Sequence, residues 1–107
     1  MNHFDAVIIG SGQAAPSLAV GLANRGQSVA LIEGDKLGGT CVNSGCTPTK
    51  TLRKSARVAH MVRRAADFGV STGAVTVDFP AAMARMRERV DTARRGLTAW
   101  LKRTKGV

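Results

Sequence analysis

The sequence predicts an α/β fold: a parallel strand–helix–strand unit, then a glycine-rich segment and two long helices. Three observations carry this expectation. Two short apolar runs, Ala6-Val7-Ile8-Ile9 and Val29-Ala30-Leu31-Ile32, flank a stretch with helical spacing. Glycines gather between these elements, at Gly10, Gly12, Gly26, Gly34, Gly38, Gly39 and Gly45. Past residue 50, apolar residues recur at threes and fours over two long stretches.

The first strand is expected over Phe4 to Ile9. Its apolar run is continuous rather than alternating, which is the pattern of a strand covered on both faces. A helix over Gln13 to Arg25 follows, with Ala15, Leu18, Ala19, Leu22 and Ala23 on one stripe and Gly26 placed to close it. The second strand, Ser28 to Ile32, ends on Glu33. So compact a crossover makes the strands parallel neighbours. Gly34 to Gly45 reads as a connection. Pro48 fits only a first helical turn, so the next helix starts near Cys46 and runs to about Asp67, ahead of Gly69. Leu52, Ala56, Ala59, Val62 and Ala66 form its apolar face, with Arg53, Lys54, Arg57, Arg63 and Arg64 largely off it. Val70 to Val77 reads as an extended connector, and Asp78-Phe79-Pro80 starts a last helix that ends near Lys105-Gly106. Its buried stripe is Met83, Met86, Val90, Ala93, Leu97 and Trp100. Val107 then reads as the first residue of a further strand. Two strands and three helices are too few to complete a doubly wound sheet, so an incomplete domain is expected. Its parts are a βαβ unit over 1–37, a segment over 38–50 that holds both cysteines, and a helical part over 51–107.

The chain has 107 residues, 44% of them hydrophobic, which excludes a disordered tail. No apolar run approaches the length of a membrane span. The first residues have neither the basic nor the apolar region of a secretory signal. A cytoplasmic location is expected, where a close cysteine pair is more often redox-active or metal-binding than structural. The formal net charge is +9. Residues 1–49 carry two basic groups against three acidic ones, whereas residues 50–107 carry 14 against four. A basic nucleic-acid-binding module is therefore an alternative, using the arginines at 53–64 and 85–95. Two features weigh against it. Aromatic residues make up only 4%, too few for base stacking, and the arginines alternate with a strict apolar stripe, as on a solvated helix face.

Gly10-x-Gly12-x-x-Ala15 is common by itself, but here it follows a predicted strand and opens a predicted helix. The second strand ends on an acid, Glu33, 21 residues past Gly12. In a dinucleotide site each position has a task. Gly10 permits the tight turn, Gly12 lets a pyrophosphate approach, and Ala15 lets helix pack on strand. The helix N-terminus faces the phosphates, and Glu33 accepts from ribose hydroxyls while repelling a 2′-phosphate. Ordinary turn glycines and a surface acid are the plainer explanation, disfavoured by the register of all the parts.

Cys41 and Cys46 straddle a loop-to-helix junction. Cys46 falls at the helix N-terminus, where free N–H groups and the dipole favour a thiolate, and Lys50 follows one turn later on the same face. Cys41 sits on the glycine-rich side, within reach of a substrate. Two unrelated thiols, or a soft-metal pair, remain alternatives.

The run Gly38-Gly39-Thr40-Cys41-Val42-Asn43-Ser44-Gly45-Cys46-Thr47-Pro48-Thr49-Lys50 resembles the redox signature of class I pyridine nucleotide–disulfide oxidoreductases. This family includes dihydrolipoamide dehydrogenase, glutathione reductase and mercuric reductase. Every fixed position of GGTCxNxGCxPxK matches, and the ending Thr47-Pro48-Thr49-Lys50 is similar to that of mercuric reductase-like and uncharacterised FAD-containing members. The resemblance implies a Rossmann-like FAD-binding portion, with Gly10, Ser11, Gly12, Ala15, Glu33, Gly39, Thr40 and Lys50 at the cofactor. It implies that Cys46 lies against the flavin, that Cys41 is the interchange thiol, and that Lys50 sits by the flavin edge. Electrons would pass from NAD(P)H to FAD, to the Cys41–Cys46 pair, and on to a small-molecule disulfide or a metal ion. Cys41 and Cys46 would be the ligands of Hg(II) if that ion is the acceptor; no resident metal is expected. The family implies a homodimer and no membrane. The chain lacks the family's nicotinamide-nucleotide and dimerisation domains and its C-terminal His-Glu pair, so by itself it is expected to be inactive. A stand-alone nucleotide- or thiolate-metal-binding protein is the remaining alternative.

Overall fold

The computed structural model describes residues 3–107. Strand β1 (Ala6–Ile9) and strand β2 (Val29–Ile32) form a two-stranded parallel sheet, pairing Ala6 with Val29 through Ile9 with Ile32. Helix α1 (Ala15–Ala23) crosses between them. Its end is drawn in by Gly26, whose φ is +85°. Helix α2 (Gly39–Asn43), helix α3 (Cys46–Arg63), a 3₁₀ turn (Ala65–Phe68) and helix α4 (Phe79–Arg103) follow. The expected order of elements is therefore observed.

Three boundaries differ from the expectation. α1 is shorter at both ends than Gln13 to Arg25. The connection at 34–45 contains the five-residue helix α2, which glycine-rich composition hid. The helix expected to reach Asp67 gives up its α-geometry at Arg63 and tightens into the 3₁₀ turn before Gly69.

The core at the sheet is small and made by α1. Ala19, Ala23 and Val29 are buried, with Ala6, Ile8, Leu22, Leu31 and Val107 packed around them. Small side chains on α1 let the helix approach closely. Asp5 fastens the open end of the sheet: its carboxylate accepts from the Ser28 backbone N–H at 2.7 Å and from the Ser28 hydroxyl at 2.8 Å. The opposite face is bare. Val7, Ile9 and Ile32 point away from α1, and Ile9 is 86% exposed. The expectation of cover on both faces is thus met on one face only, because α3 and α4 extend away from the sheet instead of lying across it.

α3 and α4 form an antiparallel hairpin. Asn43 lies opposite Arg94, and Thr51 and Ser55 lie opposite Arg85. Asp78 caps α4, accepting from Ala81 N–H at 2.9 Å, and Pro80 occupies the first turn. Of the expected α4 stripe, Val90 is buried, Met83, Met86, Ala93 and Leu97 are half-buried, and Trp100 lies at the margin of exposure. On α3, Leu52, Ala59 and Val62 are half-buried, whereas Ala56, and Ala66 in the 3₁₀ turn, are exposed. Arg53, Lys54, Arg57, Arg63, Arg64, Arg87 and Arg89 are exposed, as solvated faces require. The hairpin makes the molecule long, 67 × 24 × 18 Å with a radius of gyration of 20.0 Å. A compact domain of this size has about 13 Å. The chain after α4 returns to the sheet, where the Gly106 carbonyl accepts from Val29 N–H at 2.7 Å on the side away from β1. The expected strand start at Val107 is not formed: its N–H donates to the Thr104 carbonyl in a turn, and only the Gly106 carbonyl bonds to β2.

Val29, 1% exposed, and Ile9 test this asymmetry directly. Val29→Ala is expected to lower stability by about 2 kcal/mol, from lost transfer energy plus a cavity. Ile9→Ala is expected to change it by less than about 0.5 kcal/mol. Urea unfolding of this chain followed by far-UV circular dichroism measures both.

Candidate functional site

Because the strands are parallel, both C-terminal ends open on one edge, and the site is built there. The chain leaves β1 through Gly10, whose φ of +91° turns its N–H to the Ile32 carbonyl at 2.7 Å. Ser11 follows and is 1% exposed. Its backbone N–H donates to Glu33 Oε2 at 3.0 Å, and its hydroxyl donates to the same oxygen. The same hydroxyl accepts from Gly38 N–H at 2.9 Å. One small side chain thus ties the ends of β1 and β2 to the glycine pair ahead of α2. Glu33 Oε1 accepts from Asp35 N–H at 3.0 Å. The Ser11 hydroxyl first, and the Asp35 N–H next, hold the Glu33 carboxyl below its usual range, with burial opposing them.

The two glycine-rich loops meet backbone to backbone. Gly39 has φ +64°, and a Cβ there would lie 2.8 Å from Gly12 Cα and 3.3 Å from Gly12 N. No side chain fits that gap. Beside it, α1 begins without a side-chain cap or an acidic residue in its first turn, so its first N–H groups have no competing internal anion. A Cβ at Gly10 or Gly12 would meet nothing within 4 Å, so the backbone there is open to an approaching group. A cleft of about 200 Å³ adjoins this point, lined by Ser11, Gly12, Gly38, Val42, Leu97 and Trp100 among others.

Cys41 lies in α2, and Cys46 is the first residue of α3. They are joined by a disulfide, with Cα atoms 4.6 Å apart. Cys41 is half-buried and Cys46 is exposed. Lys50 is exposed one turn into α3, on the side of Cys46. Thr40 is exposed at the start of α2, where its carbonyl accepts from Ser44 N–H at 2.9 Å.

The structure therefore gathers Gly10, Ser11, Gly12, Glu33 and Gly39 into one cluster at the strand ends. Ala15 opens α1 beside them, and Thr40 joins the cluster to Cys41. Cys46 and Lys50 follow on α3. The Ser11 side chain is turned inward, so its part is to support the loops, and its hydroxyl is not open to a ligand. Sequence reasoning missed two residues. Gly38 supplies the N–H that Ser11 receives. Asn43 clamps the loop with its side-chain amide, donating to the carbonyls of Leu37 at 3.0 Å and Gly39 at 2.9 Å. An amide placed between two cysteines, next to paired glycines, was the available signal.

A family profile described as pyridine nucleotide-disulphide oxidoreductase matches residues 4–106. Dihydrolipoyl dehydrogenase of Bacillus subtilis is 40% identical over 98 residues, covering 90% of this chain and 21% of that protein. Dihydrolipoyl dehydrogenase of Chlamydia muridarum is 37% identical over 102 residues, covering 95% and 22%. The solved Cu(II) complex of the HOCl-induced flavoprotein disulfide reductase RclA from Escherichia coli superposes with a TM-score of 0.74 at 38% identity, covering 99% of this chain and 21% of that one. The chain spans about a fifth of the length of these relatives.

Two outcomes are expected at this site. Gly39→Ala should destabilise the fold by about 2–4 kcal/mol, since it combines a positive φ with a backbone clash; chemical denaturation reads this. Glu33 and Asp5 both have lowered carboxyl pKa values in the fold, Asp5 chiefly through the Ser28 N–H. Their contribution is fully present above their ordinary values of 4.5 and 3.8, and is lost as pH falls through the lower folded values. Stability measured from pH 6 downward should fall with acid below about pH 4.5, and less steeply in Glu33→Gln.

Proposed function

The chain belongs to the pyridine nucleotide-disulphide oxidoreductase family, and from that premise we propose that it is the FAD-binding, redox-disulfide segment of an NAD(P)H-dependent disulfide or metal-ion reductase. One observation carries this reading: the loop that bears the Cys41–Cys46 disulfide is packed backbone to backbone on the dinucleotide fingerprint, at Gly39 and Gly12. A phosphate cradle and a two-electron acceptor are thereby held in one rigid piece.

The residues present suit a flavin dinucleotide. The open backbone at Gly12 and the positive end of the α1 dipole suit a pyrophosphate, with Ser17 as the N–H of the first turn that is left over, since Pro16 has none and the N–H groups of Ala15 and Leu18 donate to the Gly12 and Ala14 carbonyls. Glu33 keeps part of its acceptor capacity for a ribose hydroxyl after its bonds to Ser11 and Asp35. Thr40 is exposed next to Gly39 and suits a phosphate oxygen. FAD, when bound, would supply the relay of two electrons from NAD(P)H to the disulfide.

The chemistry of the chain's own residues follows from their positions. Two electrons and two protons convert the disulfide into two thiols. Cys46, at the first position of α3, keeps its sulfur against the helix dipole, where the thiolate is favoured. The Lys50 ammonium on the same side adds to that preference. Cys41 is then the sulfur free to attack a small-molecule disulfide, forming a mixed disulfide and releasing one substrate thiol. Cys46 attacks Cys41 to restore the internal bond, and the second substrate thiol leaves with a proton. If a soft metal ion is the acceptor, the same two thiolates are its ligands. A homodimer and a reducing cytoplasm fit such a cycle, since a disulfide that opens every turnover needs no oxidising compartment.

In the FAD-loaded full-length protein, two-electron reduction is expected to raise a long-wavelength absorbance from the Cys46 thiolate beside the flavin; the 107-residue chain by itself is expected to bind FAD poorly. Cys46→Ser should abolish the band and Cys41→Ser should retain it; the reverse pattern would exchange the two roles. The 107-residue chain alone is expected to show no steady NAD(P)H-dependent disulfide reduction, which a coupled absorbance assay checks.

A further inference from the structure

Asn43 sits between the cysteines, at the end of α2. Its Nδ2 donates its two hydrogens to the backbone carbonyls of Gly39 at 2.9 Å and Leu37 at 3.0 Å, and the Lys36 carbonyl at 3.3 Å shares one of them. Its Oδ1 faces Arg94 Nη1 at 3.5 Å, and Arg94 is paired with Asp91 one turn back on α4. A single amide therefore ties the cysteine-bearing helix to the stretch 36–39, and α4 backs it from outside. Only a side chain that donates at one atom and accepts at the other can make both sets of contacts. Aspartate lacks the donor, and leucine, of similar shape, lacks both.

The geometry points to Asn43 as a positioning residue that sets the stability of the Cys41–Cys46 disulfide. This rests on the redox reading of the pair given above. Its carbonyl partners belong to residues 36–39, outside the ring closed by the two sulfurs, so the clamp does not depend on the sulfur–sulfur bond. Reduction adds two electrons and two protons and yields two thiols. With the clamp in place, the opened loop keeps Cys41 near Cys46, and little conformational freedom is gained. Without it, the reduced loop spreads over more conformations, whereas the oxidised loop stays tied by its own covalent bond. The equilibrium then moves towards the dithiol. Arg94 acts through Asn43, by holding the amide in the orientation that aims its donors at the carbonyls.

The test is the dithiol–disulfide equilibrium of the 107-residue chain in glutathione buffers of graded potential, with free thiols trapped by alkylation and counted by mass. Asn43→Leu is expected to favour the dithiol about tenfold, a rise of ~30 mV for a two-electron couple. Arg94→Gln should move the midpoint in the same direction by about threefold. Ser28→Ala, which loosens the far end of the sheet, should lower the melting temperature and leave the midpoint where it is. An unmoved midpoint in Asn43→Leu, with only a loss of thermal stability, overturns the proposal. If that variant does not fold, an unmoved midpoint in Arg94→Gln overturns it instead. A wild-type disulfide that stays closed across every buffer, including excess dithiothreitol, refutes the redox reading itself. A reducible wild type with unmoved variants refutes only the part assigned to Asn43.

Discussion

The site depends on the close approach of Gly39 to Gly12. Two loops distant in sequence, one following β1 and one preceding the cysteines, share a gap too narrow for a single methyl group. Backbone contact of this kind leaves polar groups short of water, and each must be satisfied locally. Ser11 meets that need. Its hydroxyl accepts from the Gly38 N–H and donates a hydrogen bond to Glu33, whose carboxylate also accepts from the Ser11 N–H. Were Ser11 or Glu33 apolar, the apposition would strand a buried donor, which costs more than an ordinary hydrogen bond gains. The glycines permit the contact, and the serine and glutamate make it stable.

That arrangement gives Glu33 a structural part at the end of β2, where its oxygens complete the loop. The donors around the carboxylate favour its ionised form and lower its pKa, so the integrity of the loop weakens as acid protonates it. The cysteines inherit the same rigidity, because α2 begins at Gly39 and Cys41 lies two residues further on. Asn43 then folds back over the start of that helix and closes the circuit.

Much of this was legible in the sequence because it follows from short-range rules. Pro48 and Asp78 marked helix starts that the structure places at Cys46 and Phe79. The apolar runs at 6–9 and 29–32 marked both strands, and the spacing of Gly10, Gly12 and Glu33 marked the cluster. What escaped depended on contacts between segments. α2 is built from Gly39, Thr40, Cys41, Val42 and Asn43, residues with little helical preference, and it forms where Asn43 and the Gly12 contact hold it. The inward turn of Ser11 needs Gly38, 27 residues away. The loss of α-geometry after Arg63 has no periodic signal, since Ala65 and Ala66 suit an α-helix and it is the approach to Gly69 that tightens the turn.

Charge and shape are connected in the same way. The net charge of +9 lies on the solvated faces of a long hairpin, and a hairpin that stands away from the sheet needs such faces on most sides. The same departure leaves Val7, Ile9 and Ile32 bare on the sheet. These residues are not a failure of patterning. A continuous apolar strand is selected by burial on both faces, and α1 supplies only one of them. The returning chain bonds to the free edge of β2 through the Gly106 carbonyl. The bonds of Ser11, Glu33, Gly38 and Asn43 lie at the glycine-rich loops around the disulfide, away from this bare face, so the loops hold their shape without help from it.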